Sequence, residues 1–499
     1  MPGLESHWLF CSVGSVGVRS LSEQKTAIDA DYPRALKRRA VGLHLSERKV
    51  LLVVVDLLCA NVALALAIWW RFGVAFRHGP VLRPQWYVAL TAVWLGVAFL
   101  LGSYDLRRAA RLKAGTATGA VTGMVAAVIY LFIPYVTPPL PSSRLALVAF
   151  LAAMIIPVTA WRALYALVLV QPTLRRRALV VGAGWSGQAI VQAVREHAPA
   201  EYDLVGFVDD DPDKQNTEIA GLSVLGTREH LHALVRHTGA TEIIIAITES
   251  DRMHPDLFQA IMSCHERGIE VTQMPVLYEQ LTGRVPVEHA GRNLHVILPL
   301  NGYPNHFHRA LKRLFDLGIG LIGLGLTVAL LPIVWLLLQV EDRGPVFYKQ
   351  ARVGQGGRIF YLLKFRTMVK DAEADGPRWA DEKDPRVTRI GRILRRLHLD
   401  EVPQAINILR GEMSFIGPRP ERPEFVAELE EQIPFYRARH AVRPGVTGWA
   451  QVNYHYAASV EDALIKLQYD LYYIKHQSLW LDLLILLKTI GLVLTLRGR

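Results

Sequence analysis

The sequence predicts a membrane protein in three parts: an α-helical membrane bundle, an α/β domain of Rossmann-like type, and a mixed, mainly α-helical module introduced by a re-entrant membrane helix. Three observations carry this. Hydrophobic residues make up 51% of the 499-residue chain and charged residues only 20%, a richer apolar share than water-soluble enzymes carry. Four long apolar runs give way, near residue 178, to short β-branched segments alternating with helical stretches. A fifth apolar run contains a proline and is flanked by basic residues on both sides.

Residues 1–45 hold no uninterrupted apolar stretch followed by a small-residue cleavage site, and read as a cytoplasmic tail rather than a cleaved signal peptide. Four transmembrane helices are expected within residues 46–172: Val50–Trp70, Trp86–Ser103, Ala117–Val136 and Leu145–Val170. Each is long enough for about 30 Å of hydrocarbon. Basic residues before the first run (Arg34, Lys37, Arg38, Arg39, Arg48, Lys49), between the second and third (Arg107, Arg108, Arg111, Lys113) and after the fourth (Arg175, Arg176, Arg177) outnumber those in the other two loops, so both ends of the bundle face the cytoplasm. No row of charges lines the runs, which argues against transport. Cys11, Cys59 and Cys264 have neither metal nor disulfide spacing and suit a reducing compartment. The net charge of +11 fits anionic membranes or phosphorylated substrates and does not choose between them.

Residues 175–300 read as the Rossmann-like domain, with parallel strands at Ala178–Val181, Leu204–Val208, Glu242–Ile247 and Ile269–Thr272. Gly182, Gly184 and Gly187 fall between the first strand and a helix, and Asp209 closes the second strand 22 residues after the last glycine. That spacing matches a dinucleotide fingerprint, with glycines for close phosphate approach and an acid for a ribose hydroxyl. The same turn can serve tight strand–helix packing alone. No Tyr-x-x-x-Lys pair occurs in the chain, which argues against a short-chain-dehydrogenase-type epimerase.

The fifth run, Leu314–Val340 within residues 306–340, has Arg309, Lys312 and Arg313 before it and Arg343, Lys349, Arg352 and Arg358 after it. A crossing would put one cluster outside, so a re-entrant hairpin bent at Pro332 is expected, with a single kinked span as the alternative. Residues 341–476 are water-soluble in composition. Residues 477–499 form an apolar segment with Lys488 inside it, suited to a helix at the interface.

Within the soluble module, His398–Gln404 is the stretch around which chemistry can be organised. Asp400 suits an N-cap, Glu401 a first turn, and Pro403 the position whose N–H lacks a helical partner. Upstream, Arg389, Arg392, Arg395 and Arg396 recur at helical steps and put most of their charge on one face, suited to an anion. Pro418 and Pro420 restrict Arg419 and hold it for bidentate phosphate contact.

On these residues, positions 308–496 resemble the bacterial sugar transferases known as monotopic phosphoglycosyl transferases. The blocks match in order: the proline-broken helix, Gly344–Gln350, Lys364–Met368, Leu399–Gln404, Ser414–Pro420 and Arg443–Val452. With the bundle and Rossmann-like domain in front, the architecture resembles the large exopolysaccharide polyprenyl glycosylphosphotransferases of the bacterial inner membrane, whose catalytic module is cytoplasmic. The resemblance implies transfer of a sugar 1-phosphate from a UDP-sugar to undecaprenyl phosphate with release of UMP and use of Mg²⁺. It implies Asp400 as nucleophile and metal-associated carboxylate, Glu401 as its dyad partner, and Lys364, Arg366, Arg395, Arg419 and Arg443 as phosphate-binding positions. Expected partners are the two substrates, membrane lipid and downstream glycosyltransferases, without nucleic acid; homo-oligomerisation stays open. Leu331-Pro332 departs from the Ser-Pro of small members, leaving any bend to proline and packing. Rival readings are a membrane-anchored nucleotide-sugar oxidoreductase or epimerase and a non-enzymatic regulator of polysaccharide assembly.

Overall fold

The computed structural model describes residues 45–72, 83–133, 137–138, 143–169, 175–247, 253–289, 296, 306–341, 343–370, 372, 384–454 and 459–494. The expected tail, the expected domain end near Leu300 and the final Arg497-Gly498-Arg499 lie outside these residues.

The bundle comprises α1 (Leu45–Phe72), α2 (Pro84–Leu100), α3 (Leu112–Leu131) and α4 (Arg144–Leu164). Each has an outer apolar face: Val54, Leu58, Val62 and Leu66 of α1 are exposed, whereas Ala60, Leu64, Trp94, Tyr130 and Met154 fill the shared core. Gly119 and Gly123 let α3 and α4 approach until an added Cβ would lie 3.0 Å from Arg162 and 3.3 Å from the Met154 carbonyl oxygen. The second expected span is shorter than expected. Leu101 and left-handed Gly102, at φ +64°, end α2 after 17 residues, about 26 Å of helix. Among the described residues, four helices are long and apolar enough to cross a membrane: Glu47–Trp70, Leu112–Leu131, Arg144–Leu169 and His306–Glu341. A buried ion pair lies inside the bundle, without forming a row. Arg162 pairs with Asp56 at 2.5 Å and donates to the Ser103 carbonyl at 2.7 Å, joining α1 and α4 to the end of α2.

The Rossmann-like sheet has the order β3-β4-β2-β1-β5-β6, formed by β1 (Arg176–Val181), β2 (Tyr202–Val208), β3 (Glu218–Ile219), β4 (Leu222–Gly226), β5 (Glu242–Ile245) and β6 (Glu270–Gln273). All pairs are parallel except β3–β4. The four expected strands are present. β3 and β4, too short and mixed for a periodicity signal, extend the edge. Helices α5 (Trp185–His197) and α8 (Met274–Thr282) cover one face, and α6 (Leu231–Thr238) and α7 (Pro255–Glu266) the other.

The third part begins with α9 (His306–Glu341), 36 residues long and continuous through Pro332. The expected hairpin is therefore a single helix. One missing N–H is outweighed by packing on both sides of the proline, where Leu330, Leu331, Val334 and Leu338 meet Phe365, Leu394 and Leu399. The soluble module holds the antiparallel pair β7 (Phe347–Val353) and β8 (Ile359–Phe365), helices α10 (Arg389–Arg396) and α11 (Gln404–Arg410), and strand β9 (Ser414–Ile416). It continues through α12 (Pro423–Gln432), strand β10 (Gly445–Thr447) parallel to β9, and α13 (Val460–Lys475), before the C-terminal helix α14 (Leu479–Leu494). Lys488 in α14 does not stand free as an interfacial anchor: its ammonium donates to Asn453 Oδ1 at 2.7 Å and lies 4.5 Å from the centre of the Trp449 ring.

α9 and the soluble module form one unit. Arg313 donates to the carbonyls of Ile408 and Leu409 at the end of α11, at 2.7 and 2.8 Å. Asp316 accepts from the Ser414 hydroxyl and the Phe415 N–H, both at 2.9 Å. Gly320 and Gly323 admit Leu409 and Ala405 so closely that a Cβ would meet them at 2.9 and 2.8 Å. At the other end, Glu341 accepts the Arg389 and Ile390 N–H groups at 2.6 and 3.0 Å. The opposite face of α9, including Leu321, Ile322, Val328, Ile333, Leu336 and Val340, is exposed and apolar.

Candidate active site

Asp400 and Glu401 stand in a 3₁₀ turn, Leu399–Glu401, ahead of α11. Asp400 is thus not the expected N-cap. His398 takes a left-handed conformation at φ +54°, which turns the chain out of α10, and α11 starts only after Pro403. The turn is fixed from two sides. Asn407, fully buried in α11, accepts the Leu363 N–H at 3.1 Å and donates to the Tyr361 carbonyl at 2.8 Å, tying α11 to β8. Thr327 of α9 donates to the Val402 carbonyl at 3.3 Å.

The two carboxylates have different surroundings. Glu401 Oε1 accepts from Lys364 Nζ and from Arg419 Nη2, both at 2.8 Å. Burial opposes its charge, but Arg419 and Lys364 outweigh that and hold it well below the usual carboxylate range. The same pairing raises the Arg419 guanidinium further, with Glu401 as the main cause. Asp400 is buried, at 7% exposure, and no side chain among the described residues bonds its carboxylate. Burial raises its pKa; Lys364 counters this, the Glu401 charge adds to it, and Arg395 and Arg419 lower it again. One carboxylate is committed to cations. The other is left available.

Of the expected basic residues, Lys364, Arg395 and Arg419 converge on the dyad. Arg395 also donates through Nε to the Thr367 hydroxyl at 2.9 Å. Arg366 is buried against Gly344, where an added Cβ would lie 2.6 Å from its guanidinium, and it forms no ion pair with the dyad. Arg443 is exposed ahead of β10 and likewise makes no ion pair with either carboxylate.

A supporting layer was not anticipated from sequence. Arg439, paired with buried Asp470 at 2.8 Å, donates to the Arg419 carbonyl at 3.0 Å. Arg352 donates to the Pro420 carbonyl at 2.8 Å, so the two consecutive peptides that follow the Arg419 side chain are held from behind. Only tertiary structure joins these positions, since Arg439 and Asp470 are 31 residues apart.

The glycine turn of the Rossmann-like domain opens on a cleft of about 470 Å³ above β1 and β5, lined by Gly182, Gly184, Trp185, Asp209, Lys214 and His289 among others. Gly182 has φ +102°, and at Gly187 a Cβ would meet the Gly182 carbonyl oxygen at 2.0 Å, so both glycines are sterically required. Asp209 is already engaged. It accepts the Ala183 N–H at 2.7 Å and the Asp211 N–H at 3.0 Å and pairs with Lys214 at 3.4 Å. The domain is docked on the soluble module: Glu279 accepts from Lys475 at 2.7 Å and pairs with His476 at 2.9 Å, and Trp449 donates to the Gly283 carbonyl at 2.9 Å.

Comparison with known proteins locates two families on the chain: a bacterial sugar transferase domain over residues 307–496 and a CoA-binding domain over residues 100–275. Among curated relatives, the UDP-N-acetylgalactosamine-undecaprenyl-phosphate N-acetylgalactosaminephosphotransferase of Aeromonas hydrophila is 41% identical over 51% of this chain and 59% of its own length. The undecaprenyl-phosphate glucose phosphotransferase of Komagataeibacter xylinus is 34% identical over 64% of this chain and 59% of its own. The UDP-galactose-lipid carrier transferase of Erwinia amylovora is 32% identical over 65% of this chain and 69% of its own. The chain thus spans somewhat under two thirds of the first two relatives.

Proposed function

This chain belongs to the bacterial sugar transferase family, and from that premise we propose that it transfers a sugar 1-phosphate from a UDP-sugar to undecaprenyl phosphate, releasing UMP and initiating an exopolysaccharide or capsule repeat unit. The observation that carries the reading is the division of labour in the dyad. Glu401 fixes Lys364 and Arg419, while the Asp400 carboxylate has no side-chain partner among the described residues. An Asp400 oxygen attacks the sugar-bearing phosphorus, UMP leaves, and an aspartyl-phosphosugar forms. An oxygen of the lipid phosphate then attacks the same phosphorus and returns the carboxylate, giving a lipid diphosphosugar. Lys364, Arg395 and Arg419 offset the charge that develops on the phosphoryl oxygens and on UMP.

Among the described residues no three His, Cys, Asp or Glu side chains gather into a metal cage. Magnesium commonly takes one or two carboxylates and completes its shell with substrate phosphates and water, so Asp400 with the donor diphosphate meets its needs while Glu401 stays with its cations. Bound there, Mg²⁺ supplies charge neutralisation on the diphosphate.

The membrane setting follows from α9. Arg313 at one end and Glu341 at the other bond the same soluble module, which supports a helix held along one membrane face with its apolar side in lipid. The positive-inside pattern supports a cytoplasmic position for that face, on the side where UDP-sugars are found. The glycine-turn cleft has the position of a nucleotide site at a switch point of the parallel sheet, and a nucleotide there would act apart from the transfer chemistry. The full chain, mixed with undecaprenyl phosphate and in turn UDP-N-acetylgalactosamine, UDP-glucose, UDP-galactose and further UDP-sugars, should release UMP with at least one donor. Folded protein that releases none from the whole panel would rule the reading out.

A further inference from the structure

The outer face of α10 takes no part in the chemistry above. Arg389, Arg392 and Arg396 line, with Ile393, a shallow open hollow of about 360 Å³. Ile393 is 59% exposed, and Leu397, one residue beyond the helix, is 51% exposed. The inner face is fully used, with Gly391 and Leu394 buried, Ile390 packed beside Val334 and Leu338 of α9, and the first N–H groups held by Glu341. The orientation of α10 is therefore fixed by packing. Its outward residues cannot turn inward without breaking that contact.

No carboxylate among the described residues pairs with Arg389, Arg392 or Arg396. The α9 turns against which α10 packs expose Ile333, Trp335, Leu336 and Val340, so the basic face borders a large apolar one. Long guanidinium side chains interleaved with aliphatic ones match one environment well: arginines reach phosphate oxygens while Ile393 and Leu397 enter the upper acyl region. We propose that the outer face of α10 docks on the anionic phospholipid headgroups of the bilayer and so seats the dyad, which begins four residues after Arg396, at the membrane surface. This rests on the membrane placement of α9 given above. A phosphate-bearing acceptor then meets Asp400 without leaving the headgroup layer.

The test uses the full chain lacking Cys11, Cys59 and Cys264, carrying one nitroxide label at Ile393→Cys or, separately, at Leu336→Cys. It is reconstituted in phosphatidylcholine vesicles with and without phosphatidylglycerol. The label at 393 should collide more with oxygen and less with an aqueous nickel chelate when phosphatidylglycerol is present, and high salt should reverse the change. Each arginine beside an anionic surface is worth about fivefold in partitioning, so R392Q with R396Q should lower the docking equilibrium about 25-fold. A 393 label in water in both vesicle types, with the 336 label in lipid, overturns the docking and leaves the placement of α9 standing. Both labels in water overturn both. Lipid exposure at 393 that ignores phosphatidylglycerol and the double substitution removes the headgroup specificity and overturns the proposal.

Discussion

Glu401→Gln keeps the shape of the dyad and removes one charge, so its effect isolates what the Lys364–Glu401–Arg419 arrangement contributes. Two charge-assisted hydrogen bonds at 2.8 Å converge on Glu401 Oε1. A bond of this kind contributes about 1.5–3 kcal/mol. Arg419 has 44% of its side chain exposed, so its arm is discounted toward the roughly 0–1 kcal/mol of a screened surface pair. Lys364, only 19% exposed, carries most of the remainder. The sum is about 2–4 kcal/mol; if it is lost in the transition state, kcat/KM falls about 30- to 1,000-fold. The pH profile adds a sign. Asp400 is active as the carboxylate and its pKa is raised, so the rate falls as pH drops through that raised value. The Glu401 charge contributes to the rise and Lys364 opposes it, so the acid limb moves to lower pH in Glu401→Gln and to higher pH in Lys364→Gln. Initial rates of UMP release across pH, with thermal unfolding as a control for folding, measure both. A loss below about threefold with an unmoved acid limb would refute the idea that Glu401 sets the electrostatics of the site.

Three further outcomes test the framework. Asp316→Ala leaves the Phe415 N–H and the Ser414 hydroxyl without their buried acceptor, at about 1–3 kcal/mol each, and should lower the midpoint of thermal unfolding; an unchanged midpoint would mean that α9 is not anchored through β9. A chain truncated to begin at Tyr303 should keep measurable transferase activity and melt earlier, having lost the Glu279 contacts to Lys475 and His476; complete inactivity of folded, membrane-bound protein would assign the Rossmann-like domain to the active assembly. Single cysteines at Arg309 and Arg358, without the native three, should both be shielded from an impermeant thiol reagent in intact cells and react once the membrane is opened; labelling of the Arg358 position alone from outside would show that α9 crosses.

Much of this architecture is visible in the sequence because it is periodic. The apolar runs, the β-branched strands and the glycine turn are local patterns, and they fall close to where the structure has them. The misses have a common cause in contacts between distant segments. Pro332 signals a bend, yet the helix continues because Leu330, Leu331 and Val334 are held by Phe365 and Leu394, a contact no local pattern encodes. Asp400 has the composition of an N-cap, but left-handed His398 turns it into a 3₁₀ turn. Asp209 has the spacing of a ribose ligand, and its bond from the Ala183 N–H, 26 residues away, is a contact that spacing does not announce. In the candidate active site, the motif blocks supply Asp400, Glu401, Lys364, Arg395 and Arg419. Arg439, held by Asp470, and Arg352 act through the backbone carbonyls of Arg419 and Pro420, and such roles leave no spacing to read.

The central claim is that Asp400 becomes covalently phosphorylated by the donor. Full-length protein should be incubated with a UDP-sugar that it turns over, in the absence of undecaprenyl phosphate, quenched in acid and analysed as an intact mass followed by peptide mapping. The account predicts a sugar-phosphate adduct on the peptide containing Asp400, UMP released in a burst of no more than one equivalent, discharge of the adduct on adding undecaprenyl phosphate, and no adduct in Asp400→Asn. UMP formed only when both substrates are present, with no adduct at any time and residual turnover in Asp400→Asn, would contradict it and point to direct attack by the lipid phosphate on the donor.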